Sequence, residues 1–173
     1  MKIDISATNS VSYGKKTGMS GEYDMGRVRF YFDPNTLTMA QDEYFYIASL
    51  SNSSGLEVAN IIFKKHDASY RIGANMKDDA GGDHAIASTT ITDAPHYIEI
   101  YLRRAYGSAT NDGSLLLQID GVDIGTATGD NYDRFNVFDK LYIGALFGID
   151  AGTTGTFYID EIVINDTGEA IGA

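Results

Sequence analysis

The chain contains no cysteine and no tryptophan, only two prolines, and fewer basic than acidic side chains. Without cysteine there is no disulfide staple, no thiolate zinc site and no cysteine nucleophile, and the redox compartment stays undecided. Without tryptophan the strongest ring for stacking on a sugar face is missing. Thirteen Lys and Arg stand against 24 Asp and Glu, a formal net charge of −11. That balance disfavours duplex DNA, RNA and anionic membrane surfaces and suits cations or neutral ligands. No window approaches the roughly 18 apolar residues of a membrane span, so no membrane insertion is expected. The first residues, Met1-Lys2-Ile3-Asp4-Ile5-Ser6, carry no apolar run of signal-peptide length.

What is present favours strands. The 173 residues suffice for one domain with a sizeable core. Glycine is 19 residues, and Tyr and Phe together contribute 12 and 8, a balance of turn formers and strand formers. Arg27-Val28-Arg29-Phe30-Tyr31-Phe32 alternates polar and apolar before the turn signal Asp33-Pro34-Asn35. Strand-length runs follow at Glu43 to Leu50, Gly55 to Lys64 and Ser69 to Met76, none with a helical stripe. In the clearest strand, Ile98, Ile100 and Leu102 share one face, and Tyr97, Glu99, Tyr101 and Arg103 the other. Ser114 to Asp120 ends in Asp120-Gly121 and resumes at Val122, the signature of a type I′ hairpin. Lys140 to Phe147 and Thr156 to Asn165 close the chain, the latter apolar enough to be a central strand. About ten to twelve short strands separated by turns predict an all-β, antiparallel two-sheet β-sandwich. Residues 1–167 form the single expected domain, and residues 168–173 a frayed tail.

Three stretches carry a family likeness: Asp93-Ala94-Pro95-His96-Tyr97-Ile98-Glu99-Ile100; the hairpin from Asp112-Gly113-Ser114 to Asp120-Gly121; and Leu141-Tyr142-Ile143-Gly144 followed by Gly155-Thr156-Phe157-Tyr158-Ile159-Asp160. Their order and spacing resemble the concanavalin A-like lectin/glucanase superfamily, in particular its laminin-G-like jelly-roll domains. The resemblance implies a jelly roll displayed extracellularly or on a surface. It also implies an excised part of a longer protein, because such domains usually begin with an aromatic-bearing strand upstream of Lys2 to Ser6.

Glycosidases of that superfamily set two carboxylates on one strand, as retaining hydrolysis requires. Here the nearest string is Glu22-Tyr23-Asp24-Met25-Gly26, with Gly26 where the second catalytic Glu would stand. His66, His84 and His96 are far apart and belong to no metal or nucleophile motif. No catalytic residues are therefore assigned, and the chain is expected not to be an enzyme. The acidic loop Lys77 to His84 concentrates Asp78, Asp79 and Asp83 among glycines, a pattern a hard cation such as calcium favours, with a solvated loop as the alternative. Tyr106, Tyr132 and Phe135 fall in expected loops, where rings can stack on sugars. The sequence thus predicts a non-catalytic glycan-recognition module, calcium being its one candidate cofactor. The alternative is a structural or adhesive protein-interaction domain of a surface layer, appendage or virion.

Overall fold

The computed structural model describes residues 1–6, 11–19, 24–134, 138–166 and 168–172. Twelve strands follow one another: β1 (Lys2–Ile5), β2 (Ser12–Lys16), β3 (Met25–Asp33), β4 (Tyr44–Asn52), β5 (Glu57–His66) and β6 (Ser69–Lys77), then β7 (Asp83–Ile91), β8 (His96–Arg103), β9 (Gly113–Ile119), β10 (Val122–Gly129), β11 (Phe138–Ala145) and β12 (Gly155–Asn165). They form two six-stranded sheets, β1-β12-β3-β8-β9-β10 (sheet A) and β2-β11-β4-β5-β6-β7 (sheet B). Every pairing is antiparallel. Among the described residues no helix is long and apolar enough to cross a membrane. The protein is an all-β jelly-roll sandwich, as the periodicity predicts.

Alternation decides which side chains meet between the sheets. From sheet A, Val28, Phe30 and Phe32 of β3 and Ile98, Ile100 and Leu102 of β8 point inward. From sheet B, Phe45 and Ile47 of β4 and Ile61 and Phe63 of β5 meet them. The densest part is aromatic: Phe63 lies 4.9 Å from Phe32 and 5.5 Å from Phe45, ring centre to ring centre, and Phe157 sits 5.6 Å from Phe32. The β9–β10 turn places Asp120 at φ 52° and Gly121 at φ 78°, the left-handed pair that a type I′ hairpin needs.

On the outer face of sheet A, Arg27 pairs with the buried Glu99 at 2.7 Å. Residues 168–172 cross this face, where Arg27 donates to the Gly168 carbonyl at 2.7 Å and the Ile171 N–H donates to Glu99 at 3.3 Å. Tyr97 and Tyr101 belong to this outer face, paired with Tyr31 and Arg27 of β3.

Sheet B depends on one glycine for its β2 edge. Gly144 has φ 138°, and a Cβ there would stand 2.4 Å from the Ser12 carbonyl oxygen and 2.7 Å from the Tyr13 Cα. Gly144→Ala should therefore push β2 off β11 and destabilise the fold by about 1–3 kcal/mol. A urea titration checks this, and an unchanged midpoint would show that β2 accommodates the methyl group.

Candidate functional site

The register of sheet B lines up a polar row on its outer surface. Lys15 of β2 stands opposite Tyr142 of β11, Tyr142 opposite Ser49 of β4, Ser49 opposite Asn60 of β5, and Asn60 opposite Asn75 of β6. Their chain neighbours Leu141, Leu50, Ile61 and Ala74 face the core, so alternation turns this row outward. An outward row on a sheet is ordinarily solvated, yet Asn60 and Asn75 are only 1% and 5% exposed. Among the described residues, both leave a buried side-chain carbonyl oxygen without a hydrogen-bond partner. Each such acceptor costs about 1–3 kcal/mol.

Charged and phenolic groups flank the row. Asp83 accepts from Asn75 Nδ2 at 2.7 Å and pairs with Lys77 Nζ at 2.8 Å, while Asn60 Nδ2 donates to Glu57 at 3.5 Å. The hydrogen bond to Asp83 holds the Lys77 ammonium above its ordinary range against the opposing effect of burial, and Asp83, Glu57 and Tyr46 add by charge. Burial pushes the Tyr46 phenol above its ordinary range, with Glu57, Tyr44 and Asp83 pushing the same way and Lys77 opposing. Tyr46 therefore holds its proton and Lys77 its charge at neutral pH.

Beside these groups runs an open groove of about 340 Å³, lined among others by Tyr13, Tyr46, Ser49, Glu57, Tyr142 and Phe147. Its aromatic end is self-supporting: Tyr13 meets Tyr142 edge-on at 5.6 Å, and Tyr46 lies 5.8 Å from Phe147. Arg134 ties the loop after β10 to the other end, donating to the Asp78 carbonyl at 2.6 Å and the Glu57 carbonyl at 3.0 Å. Although the chain is acidic overall, the register puts Lys15, Lys64, Arg71, Lys77 and Lys140 on this one face. A face with a proton-holding phenol, a carboxylate, a fixed ammonium and a row of amides can bind a polar polymer, neutralise an anionic substituent and move protons.

The residues singled out by sequence lie mostly elsewhere. Asp78 accepts from the Gly82 N–H at 2.6 Å and from His84 at 3.1 Å; Asp79 accepts from the N–H groups of Asp133 and Arg134; Asp83 accepts from Asn75 and pairs with Lys77. Among the described residues no group of three or more His, Asp or Glu converges as a metal site. Tyr106 and Tyr132 do come together, in a depression with Arg103 and Arg104 at one end of sheet A. Phe135 lies outside the described residues, as do Glu22 and Tyr23, while Asp24 receives Arg104 at 3.4 Å. Each histidine pairs with an aspartate: His66 with Asp42 at 2.6 Å, His84 with Asp78 at 3.1 Å, and His96 with Asp120 at 2.6 Å. The row Ser49–Asn60–Asn75 went unmarked in the sequence, where its one signal is polar residues interrupting otherwise apolar strands.

No family model and no curated protein sequence matches the chain. Solved structures do match in shape. A variant of the alginate lyase Aly36B, with a lysine and a tyrosine replaced by alanine and an alginate tetrasaccharide bound, superposes with a TM-score of 0.62 at 10% identity, over 88% of this chain and 71% of its own. An alginate lyase from Chlorella virus matches with a TM-score of 0.61 at 10% identity, over 89% and 82%. A third, from Pseudomonas aeruginosa, gives 0.56 at 11%, over 88% and 68%.

The chain shares the jelly-roll fold of these lyases. This overturns the expectation of a non-catalytic recognition module, its structural or adhesive alternative, and the expectation that the chain is not an enzyme. The neighbours are polysaccharide-degrading enzymes. The physical reason lies in the chemistry sought. The missing carboxylate pair near Gly26 bears on retaining hydrolysis, whereas an elimination needs a neutralised carboxylate, a proton acceptor and a proton donor. At these identities the likeness establishes the fold, and any activity turns on the groove of this chain itself.

Proposed function

We propose that the protein is a polysaccharide lyase acting on an acidic polymer in the groove on the outer face of sheet B. The observation that carries this reading is the polar row Ser49–Asn60–Asn75, with its two unpartnered buried amide oxygens, set among Tyr46, Glu57 and Lys77. A sandwich without a ligand on that face gains nothing from leaving those acceptors unsatisfied.

The roles follow from charge and protonation. Lys77 draws the carboxylate of a uronate unit and stabilises the negative charge that develops on it when the adjacent carbon loses its proton. Glu57 accepts that proton, and the electron pair left behind forms the carbon–carbon double bond as the glycosidic carbon–oxygen bond breaks. Tyr46, which retains its proton at neutral pH, donates it to the departing oxygen. The aromatic end, Tyr13, Tyr142 and Phe147, gives sugar rings an apolar surface on which to stack. A polymeric polyuronate substrate supports an extracellular or surface-displayed location for the protein.

Incubation with alginate and other polyuronates, followed by ultraviolet absorbance and reducing-end release together, tests the reading. Elimination yields both signals, because the new chain end carries the unsaturated bond. Reducing ends without absorbance would mean hydrolysis, and neither signal on any acidic polymer would remove the proposal.

A further inference from the structure

The depression that gathers Tyr106 and Tyr132 lies apart from the groove, at the end of sheet A where β8 runs out, and has a volume of about 230 Å³. Tyr106 is 80% exposed. The Arg103 guanidinium stands 4.7 Å from the centre of its ring, and the Arg104 guanidinium lies 3.8 Å from that of Tyr132. Two adjacent arginines of one chain thus each back a tyrosine at the same hollow.

The hollow is built in advance of any ligand. Asp112 accepts from the Tyr106 N–H at 3.2 Å and from the Thr110 hydroxyl at 2.7 Å, and Asp130 accepts from the Ala109 N–H at 2.7 Å. The loop carrying Tyr106 is therefore tied at three points, which lowers the cost of ordering it on binding. Among the described residues, Arg103 donates to the Asp112 carbonyl at 2.5 Å, and Arg104 to the Tyr132 carbonyl at 2.8 Å and to Asp24 at 3.4 Å. A guanidinium carries five N–H donors, so both arginines retain donors for a further acceptor. The Asp112 carboxylate is turned onto its own loop, and among the described residues Asp24 is the carboxylate that lines the hollow.

We propose that this hollow is a second saccharide site, holding one uronate unit of an acidic polysaccharide: its ring face on Tyr106, its carboxylate on the guanidinium N–H groups of Arg103 and Arg104. The ligand class rests on the lyase reading; the site does not, since it shares no residue with the groove. One long chain reaching both places gains avidity that a short oligosaccharide cannot.

The test compares the intact protein with Tyr106→Ala and with Arg103→Gln/Arg104→Gln by affinity electrophoresis in alginate and in a neutral polymer, hydroxyethylcellulose. Tyr106→Ala removes a solvent-facing ring, so its fold should stand, as circular dichroism would verify. Affinity for alginate should fall about five- to tenfold in Tyr106→Ala, the worth of one stacked ring. Retardation by the neutral polymer should not change. Wild-type retardation of Tyr106→Ala, or an equal loss on both polymers, would overturn the site or its acidic ligand. A protein that cleaves nothing yet loses alginate affinity on Tyr106→Ala supports the second site while the lyase reading fails. Cleavage with unchanged affinity does the reverse.

Discussion

Tyr46→Phe should reduce cleavage of a polyuronate by about 10²- to 10⁴-fold, the ordinary worth of a positioned proton donor. The substitution removes one oxygen and keeps the ring, so the contacts at 5.8 Å to Phe147 and 6.3 Å to Tyr44 persist. Binding of the polymer should change little, which puts the loss in kcat and leaves KM nearly unaltered. The pH profile provides a second readout. Because burial and the neighbouring carboxylates raise the Tyr46 pKa, the proton-bearing form persists up to and beyond the usual phenol value of about 10. The wild-type rate should therefore show no loss from Tyr46 ionisation until the pH passes that value. If Tyr46→Phe keeps its rate within about threefold, a factor worth under ~1 kcal/mol of barrier, proton donation belongs to another group and the roles proposed for the groove fall.

Phe63→Ala should be the most damaging of the core truncations, at about 3–5 kcal/mol. Phe63 has no exposed surface, and its ring contacts Phe32, Phe45 and Tyr70 at 4.9, 5.5 and 5.2 Å, so three rings from both sheets and the β6 strand close on it. Those neighbours are held by their own strands and cannot collapse far into the space left behind, so the cavity persists. Against a total stability of about 5–15 kcal/mol such a loss leaves a marginal protein. A fall in the urea midpoint with an unchanged slope would bear this out. A loss below about 1.5 kcal/mol would instead mean that the sandwich repacks around the gap.

Nine of the twelve strands were legible as pattern. β3 and β8 alternate cleanly because one face of each meets the core and the other meets solvent or the C-terminal segment. The Asp120-Gly121 turn was legible because its left-handed backbone admits few residues. The three strands not read as pattern, β1, β2 and β7, all lie at sheet edges, β1 in sheet A and β2 and β7 in sheet B. β2 is five residues long, and β7 is largely small Ala, Ser and Thr side chains. An edge strand has one neighbour and is half exposed, so burial imposes little periodicity on its sequence.

The candidate site was far less legible. Tyr106 and Tyr132 stood out as loop aromatics, and the fold does bring them to one hollow. Asp78, Asp79 and Asp83, within six residues of sequence, accept from the Gly82 N–H, from the N–H groups of Asp133 and Arg134, and from the Asn75 amide, because the turn between β6 and β7 sends their side chains different ways.

By itself the sequence determined the all-β class, most strand positions, the principal turn and the inward faces, since each follows from a local period of two residues and from backbone limits on turn residues. It also determined what chemistry was absent, for no fold can supply a thiol or an indole that the chain lacks. Only the tertiary structure decided that Ser49, Asn60, Asn75 and Tyr142 share one row, with Tyr46 and Lys77 beside it. Those residues come from four strands separated by up to 96 positions, from Tyr46 to Tyr142. Their meeting is set by strand order and register, which depend on how the whole apolar surface closes and not on any local segment.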